Sequence, residues 1–146
     1  YDCLVPGSGG KDSVYASHRL KRKYGMNPLT VTWAPNLCTD WGWANFQGWT
    51  NSGFDNYLVT PNPRTHRLLT RLAVQNLFHP FQTFIIGQKN VAPKIAANFG
   101  IDLVFYGENE AEYGNPIADN NFASPKPIPS LFLIFLYKYI INQIIK

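Results

Sequence analysis

Short apolar runs and longer amphipathic runs alternate along most of this chain. Residues 2 to 6, Asp-Cys-Leu-Val-Pro, predict a short buried strand that runs into a glycine-rich turn, and Asp12 to Tyr24 predicts a helix ended by Gly25. Asn27-Pro28 marks a turn, and the β-branched run Leu29 to Trp33 predicts a second strand. A helix follows from Asp40 to about Asn51, with Trp43, Phe46 and Trp49 expected to line the core. Phe54 to Thr60 predicts a third strand. Asn62 and Pro63 then supply an N-cap and a first-turn proline for a helix reaching about Phe78. Its apolar face is Leu68, Leu69, Leu72 and Ala73, and Arg64, Arg67 and Arg71 share the other face, expected to be solvated rather than to meet an anionic substrate. Residues 79 to 88 read as irregular, Val91 to Phe99 as a shorter helix ended by Gly100, and Ile101 to Tyr106 as a fourth strand. Such alternation predicts an α/β fold, an open parallel sheet with helices on both faces.

The regular pattern stops beyond Gly114. One domain is expected over residues 1–121, a proline-rich connector over 122–130, and an apolar tail over 131–146. The run from Leu131 to Ile145 is interrupted by Lys138, Asn142 and Gln143 and is shorter than the ~20 residues of a membrane span, so a docking helix or an unnatural tail is expected instead.

Composition narrows the class. With 146 residues, 45% hydrophobic and 15% charged, the chain can bury one globular core. It opens on Tyr1 close to a strand and its single methionine is Met26, so a fragment or processed product is expected. Cys3 and Cys38 lack the paired spacing of a disulfide framework or zinc site, and no charged-then-apolar leader precedes the first strand; a cytoplasmic location is the expectation. The net charge of +4 owes much to Arg19, Lys21, Arg22 and Lys23, which complement the end of the first helix and are expected to be solvated rather than to bind nucleic acid.

The candidate chemistry lies in Ser8-Gly9-Gly10-Lys11-Asp12-Ser13, between a strand and a helix. Two glycines let the backbone bring its N–H groups close to an anion, and the helix start adds its positive dipole end. Ser8 and Ser13 can donate to phosphate oxygens, Lys11 can neutralise charge, and Asp12 can hold a magnesium ion that bridges those oxygens. The loop is neither a Walker A sequence nor a Gly-x-Gly-x-x-Gly turn. At all six positions it resembles the Ser-Gly-Gly-x-Asp-Ser signature of the pyrophosphate-loop (PP-loop) ATP pyrophosphatase superfamily, a Rossmann-like fold shared with adenine nucleotide alpha hydrolases.

That resemblance implies ATP with magnesium, cleavage between the α and β phosphates, and no covalent enzyme nucleophile. It also implies adenine near the end of the second strand, at Thr32-Trp33-Ala34, where Trp33 either stacks on the base or is simply buried. A second cluster, Tyr106 to Gly114, should face the same crevice. Its carboxylates Glu108, Glu110 and Glu112 read either as magnesium or substrate ligands or as an acidic solvated loop.

From Tyr1 to about Pro116 the chain resembles the N-acetyl sugar amidotransferases of lipopolysaccharide and other surface-glycan biosynthesis. The resemblance rests on Tyr1-Asp-Cys-Leu-Val-Pro6, Gly25-Met-Asn-Pro-Leu29, Asn62, Gly107-Glu108-Asn109 and Glu112-Tyr113-Gly114. It implies that the acetamido oxygen of a nucleotide-linked N-acetyl sugar is adenylated and that ammonia displaces AMP to leave an acetamidino group. The ammonia would come from a separate glutaminase subunit through a channelling partner related to histidine-biosynthesis proteins. Under this resemblance Lys11, Asp12 and Glu112 are catalytic, Asp12 binds the metal, and Ser8 to Ser13, Thr32, Trp33 and Gly107 bind ATP, while Glu108, Asn109 and Tyr113 contact the sugar.

Family members are longer at both ends, and Gly7, an unusual residue before the loop, is expected only to loosen the turn. Cys3, Cys38 and the scattered His18, His66 and His79 suggest no glutaminase centre or triad. Two other readings remain: a PP-loop enzyme that thiolates tRNA or adds lysine to it, and a non-catalytic ATP-binding module.

Overall fold

In the computed structural model, which describes residues 1–108, three parallel strands and four helices follow one another. They are β1 (Cys3–Pro6), α1 (Lys11–Tyr24), β2 (Pro28–Trp33), α2 (Asp40–Asn51), β3 (Asn56–Val59), α3 (Pro63–Leu77) and α4 (Gln82–Phe99). The sheet order is β1-β2-β3. On the free side of β1, Leu4 donates to Leu103 O at 2.8 Å and accepts from Phe105 N at 2.8 Å, pairing in parallel with Val104. The expected fourth strand is therefore a single bridge, and β1 lies between β2 and this segment.

Side-chain alternation assigns the two faces. Leu4, Leu29 and Val31 point towards α4, where they bury with Val91, Ala92, Ile95, Ala96 and Ile101. Cys3 and Val5 point the other way, onto Ala16 and Leu20 of α1, Trp49 of α2, and Phe54. This is the expected α/β architecture, an open parallel sheet with helices on both faces.

Local chemistry explains most boundaries. Gly25 adopts φ 67° and Gly100 φ 65°, closing α1 and α4 with left-handed caps. Asn62 Oδ1 accepts from Arg64 N at 3.0 Å and Thr65 N at 3.2 Å, with Pro63 at the start of α3.

Three expectations need correction. Residues 82–88, read as irregular, belong to the first half of α4; the helix begins after Phe81 without a side-chain cap and continues through Pro93, so neither usual boundary signal marks it. The buried stripe of α3 runs through His66 and Ala73, not Leu68, which is 37% exposed. On α2 only Trp49 is core, its Nε1 donating to Ser17 Oγ at 2.8 Å; Trp43 is 47% exposed and stacks on Phe46. Asn109, Glu110, Glu112, Tyr113, the connector and the apolar tail lie outside the described residues.

Candidate functional site

After β1 the chain moves to β2 and β3 on one side and returns later to the other side. The loop leaving β1 thus stands at a topological switch point, beyond the carboxyl ends of the strands, where open parallel sheets bind ligands. It enters α1 at an N-terminus that no side chain caps. The first-turn N–H groups of a helix have no intrahelical acceptor, so this end is arranged to accept an anion.

The glycines around the loop answer to different constraints. Gly9 sits at φ 88°, and a Cβ there would come within 2.7 Å of Asn45 O, so α2 packs backbone to backbone on the loop. At Gly7 a Cβ would overlap Ser13 Cβ at 2.3 Å and approach the Trp49 ring at 3.1 Å. Gly7 therefore does more than loosen the turn: it lets β1 run directly past the start of α1. Gly10 has φ −68° and ψ 158°, open to any residue, and a Cβ there would meet nothing within 4 Å. Neither backbone conformation nor protein packing requires a glycine at Gly10, and the space it keeps open borders the uncapped helix end.

Ser8, Lys11 and Asp12 are exposed, and Lys11 Nζ lies 2.9 Å from Asp12 Oδ1. An exposed pair of this kind is weak, about 0–1 kcal/mol, and can rearrange around a ligand. Ser13 is buried, and its hydroxyl donates to Gly10 O at 3.0 Å, bracing the turn. Gly107 comes to the same place: a Cβ on it would lie 2.8 Å from Asp12 C and 2.8 Å from Ser13 N. The structure thus brings the start of the second candidate loop against the first turn of α1, with Glu108 exposed beside it.

At the end of β2, Thr32 is buried and its Oγ1 accepts from Asn56 Nδ2 at 3.1 Å. Ala34 N is bound to Val59 O at 2.9 Å. Trp33 packs towards the α4 side, its indole over Gly87, where a Cβ would come within 2.4 Å of the ring. Buried beside it, at a centroid distance of 6.3 Å, is His66, whose two ring nitrogens have no hydrogen-bond partner among the described residues, as is also true of Trp33 Nε1. A histidine on the apolar stripe of α3 carries no sequence mark that distinguishes it from a surface one.

Among the described residues no group of three or more His, Cys, Asp or Glu could hold a metal. A magnesium ion held by one carboxylate and by the phosphates of a nucleotide needs no such cage, and the exposed Asp12 carboxylate at the helix start fits that arrangement. Cys3 is buried and burial pushes its thiol pKa up, the opposite of what a thiolate nucleophile needs; Cys38 is exposed. No helix among the described residues is long and apolar enough to cross a membrane.

No protein-family model matches this sequence, and no curated protein matches it. Among solved structures, the chain is similar to one described as a predicted subunit of tRNA methyltransferase from Methanocaldococcus jannaschii DSM. The TM-score is 0.53 at 18% identity, over 88% of this chain and 58% of that one. The likeness concerns the fold, and this chain spans little more than half the length of its neighbour.

Proposed function

We propose that this chain is the ATP-binding domain of a cytoplasmic enzyme that splits ATP between the α and β phosphates to activate an amide-type carbonyl oxygen. The observation that carries the reading is the space at Gly10, a glycine that nothing among the described residues requires, set at an uncapped helix N-terminus within Ser-Gly-Gly-Lys-Asp-Ser. Backbone N–H groups of the loop and first turn, with Ser8, hold the leaving pyrophosphate, and Lys11 offsets its growing charge. The Asp12 carboxylate would hold magnesium, which when bound would neutralise phosphate charge. The carbonyl oxygen attacks the α phosphorus as the bond to pyrophosphate breaks; a nitrogen nucleophile then bonds to the carbon and AMP leaves with the oxygen.

Two substrates fit this chemistry. The Gly107-Glu108-Asn109 and Glu112-Tyr113-Gly114 motifs favour a nucleotide-linked N-acetyl sugar, with ammonia from a partner glutaminase and its channelling subunit. Placement of Gly107 on the first turn of α1 supports a second loop that works with the first. The structural neighbour favours instead a tRNA-modifying enzyme, in which a base carbonyl is activated, and as a comparison it supports that reading better than the sugar reading. Against RNA stands the position of Arg19, Lys21, Arg22 and Lys23 in the second half of α1, roughly 12–18 Å along the helix from its start at the loop, at 1.5 Å per residue.

The test incubates the protein with ATP, magnesium and ammonium, adding either nucleotide-linked N-acetyl hexosamines or total tRNA. AMP that appears only with the sugars, together with a product in which NH replaces oxygen, supports the amidotransferase. AMP that appears only with tRNA establishes the second reading. ATP binding with no AMP in either mixture would leave a nucleotide-binding module and remove both.

A further inference from the structure

The four tryptophans all fall between Trp33 and Trp49, and two of them are not spent on the core. Trp41 is 82% exposed and Trp43 47% exposed, with Leu37 exposed just ahead of them. Trp43 and Phe46 stack on each other with centroids 5.3 Å apart and planes 24° apart, which holds the two rings as one aromatic unit. These side chains are carried on a stable turn, because the N-cap Thr39 accepts from Gly42 N at 3.1 Å.

Their position is informative. β2 ends at Trp33 and the parallel β3 starts after α2, so the first turn of α2 stands at the carboxyl edge of the sheet, where the phosphate loop lies. The contact is direct, since Gly9 packs against the backbone of Asn45 and Phe46. The aromatic end of α2 is thus continuous with the candidate site.

Charge then selects the occupant. From Tyr24 to Pro63 the sequence holds no lysine, arginine or histidine, although the whole chain has 13 lysines and arginines, and the only charged side chains in this stretch are Asp40 and Asp55. A surface for a polyanion uses cations interleaved with its aromatics, and the segment that carries these rings has none of its own. Exposed amides accompany the rings instead, at Asn36, Asn45 and Gln47. Aromatic faces carry partial negative charge and attract polarised C–H groups, and amides exchange hydrogen bonds with hydroxyls. A neutral ring with C–H on its faces and hydroxyls around its rim, a pyranose, matches both.

We infer that Trp41 and the Trp43–Phe46 pair form the platform on which the sugar ring of the acceptor stacks while its amide oxygen is turned towards the phosphate loop. This inference rests on the sugar reading above and assigns that substrate to named residues.

The four indole N–H signals of the 15N-labelled chain, assigned by single Trp→Phe variants, provide the test. The chain would be titrated separately with ATP, UDP-N-acetylglucosamine, UDP and total tRNA. UDP-N-acetylglucosamine is expected to shift the signals of Trp41 and Trp43 but not that of the core residue Trp49, and UDP to leave all of them in place. Trp41→Ala and Trp43→Ala should each weaken the sugar nucleotide by about tenfold or more, as truncation of a stacked aromatic anchor does, with ATP affinity unchanged. An unmoved Trp49 signal reports that each variant is folded.

The inference is overturned if the sugar nucleotide leaves Trp41 and Trp43 unmoved or binds both variants normally. It is also overturned if ATP is what shifts these signals, which would make the platform a base-stacking site, or if tRNA does. Loss of self-association in the variants, seen by sedimentation, would mean that a second copy covers the patch. Since ATP binding is followed in the same samples, its absence would count against the phosphate-loop reading separately.

Discussion

Replacing Gly10 by alanine separates the needs of the fold from those of a ligand. Its backbone angles, φ −68° and ψ 158°, suit alanine, and the added methyl meets no atom of the described residues within 4 Å. Restricting the unfolded chain stabilises such a variant by roughly 0.4–1 kcal/mol. Alanine is a poorer N-cap than glycine by roughly 0.5–1 kcal/mol, which opposes that gain. The net change should be under about 1 kcal/mol, a melting shift of no more than about 4 °C for a domain of this size. Binding should respond differently, because the methyl occupies the space where phosphate oxygens would approach the first-turn N–H groups. Each charge-assisted hydrogen bond lost costs about 1.5–3 kcal/mol, so ATP affinity should fall at least about tenfold. Thermal melting and titration calorimetry with ATP and with inorganic pyrophosphate measure the two effects on one sample. Unchanged affinity for both ligands would refute the assignment of this space to phosphate, and a large drop in melting temperature would show a structural demand on Gly10 after all.

Further outcomes follow from packing and titration. Gly107→Ala places a methyl 2.8 Å from the backbone of Asp12 and Ser13, so it should lower the melting temperature and ATP affinity together; chemical denaturation alongside calorimetry checks this. Ser17→Ala removes the acceptor of the buried Trp49 Nε1–H and should cost about 1–3 kcal/mol by urea denaturation, whereas a cost near zero would mean that the indole finds another partner. His18 has its pKa lowered by burial first and then by Arg22 and Lys21. The unfolded chain therefore binds its proton first, and the His18 contribution, complete above the unfolded value of about 6.5, should be lost as pH falls below it. His18→Gln should flatten that part of the stability profile, and an unchanged slope would sink the attribution.

Local signals carried much of this protein. The glycine pair before a helix, the left-handed stop at Gly25, and Asn62-Pro63 each act within a few residues, so sequence alone located β1, α1, β2 and α3 and pointed to the loop at Ser8 to Ser13. Alternation of strand and helix was enough for the parallel sheet, because parallel strands need crossovers and the crossovers cover both faces. Tertiary packing decided the rest. The first half of α4 has no cap and no clear apolar stripe, and it is helical where Gly87 accepts the indole of Trp33. Which aromatics of α2 are core depended on how that helix lies on the loop: Trp49 went under α1, while Trp43 and Phe46 were left to stack on each other. Most of all, the separate duties of Gly7, Gly9, Gly10 and Gly107 cannot be read from a one-letter code. A glycine is an absence, and only the atoms that would surround a side chain tell whether the fold needs that absence or leaves it open to a ligand.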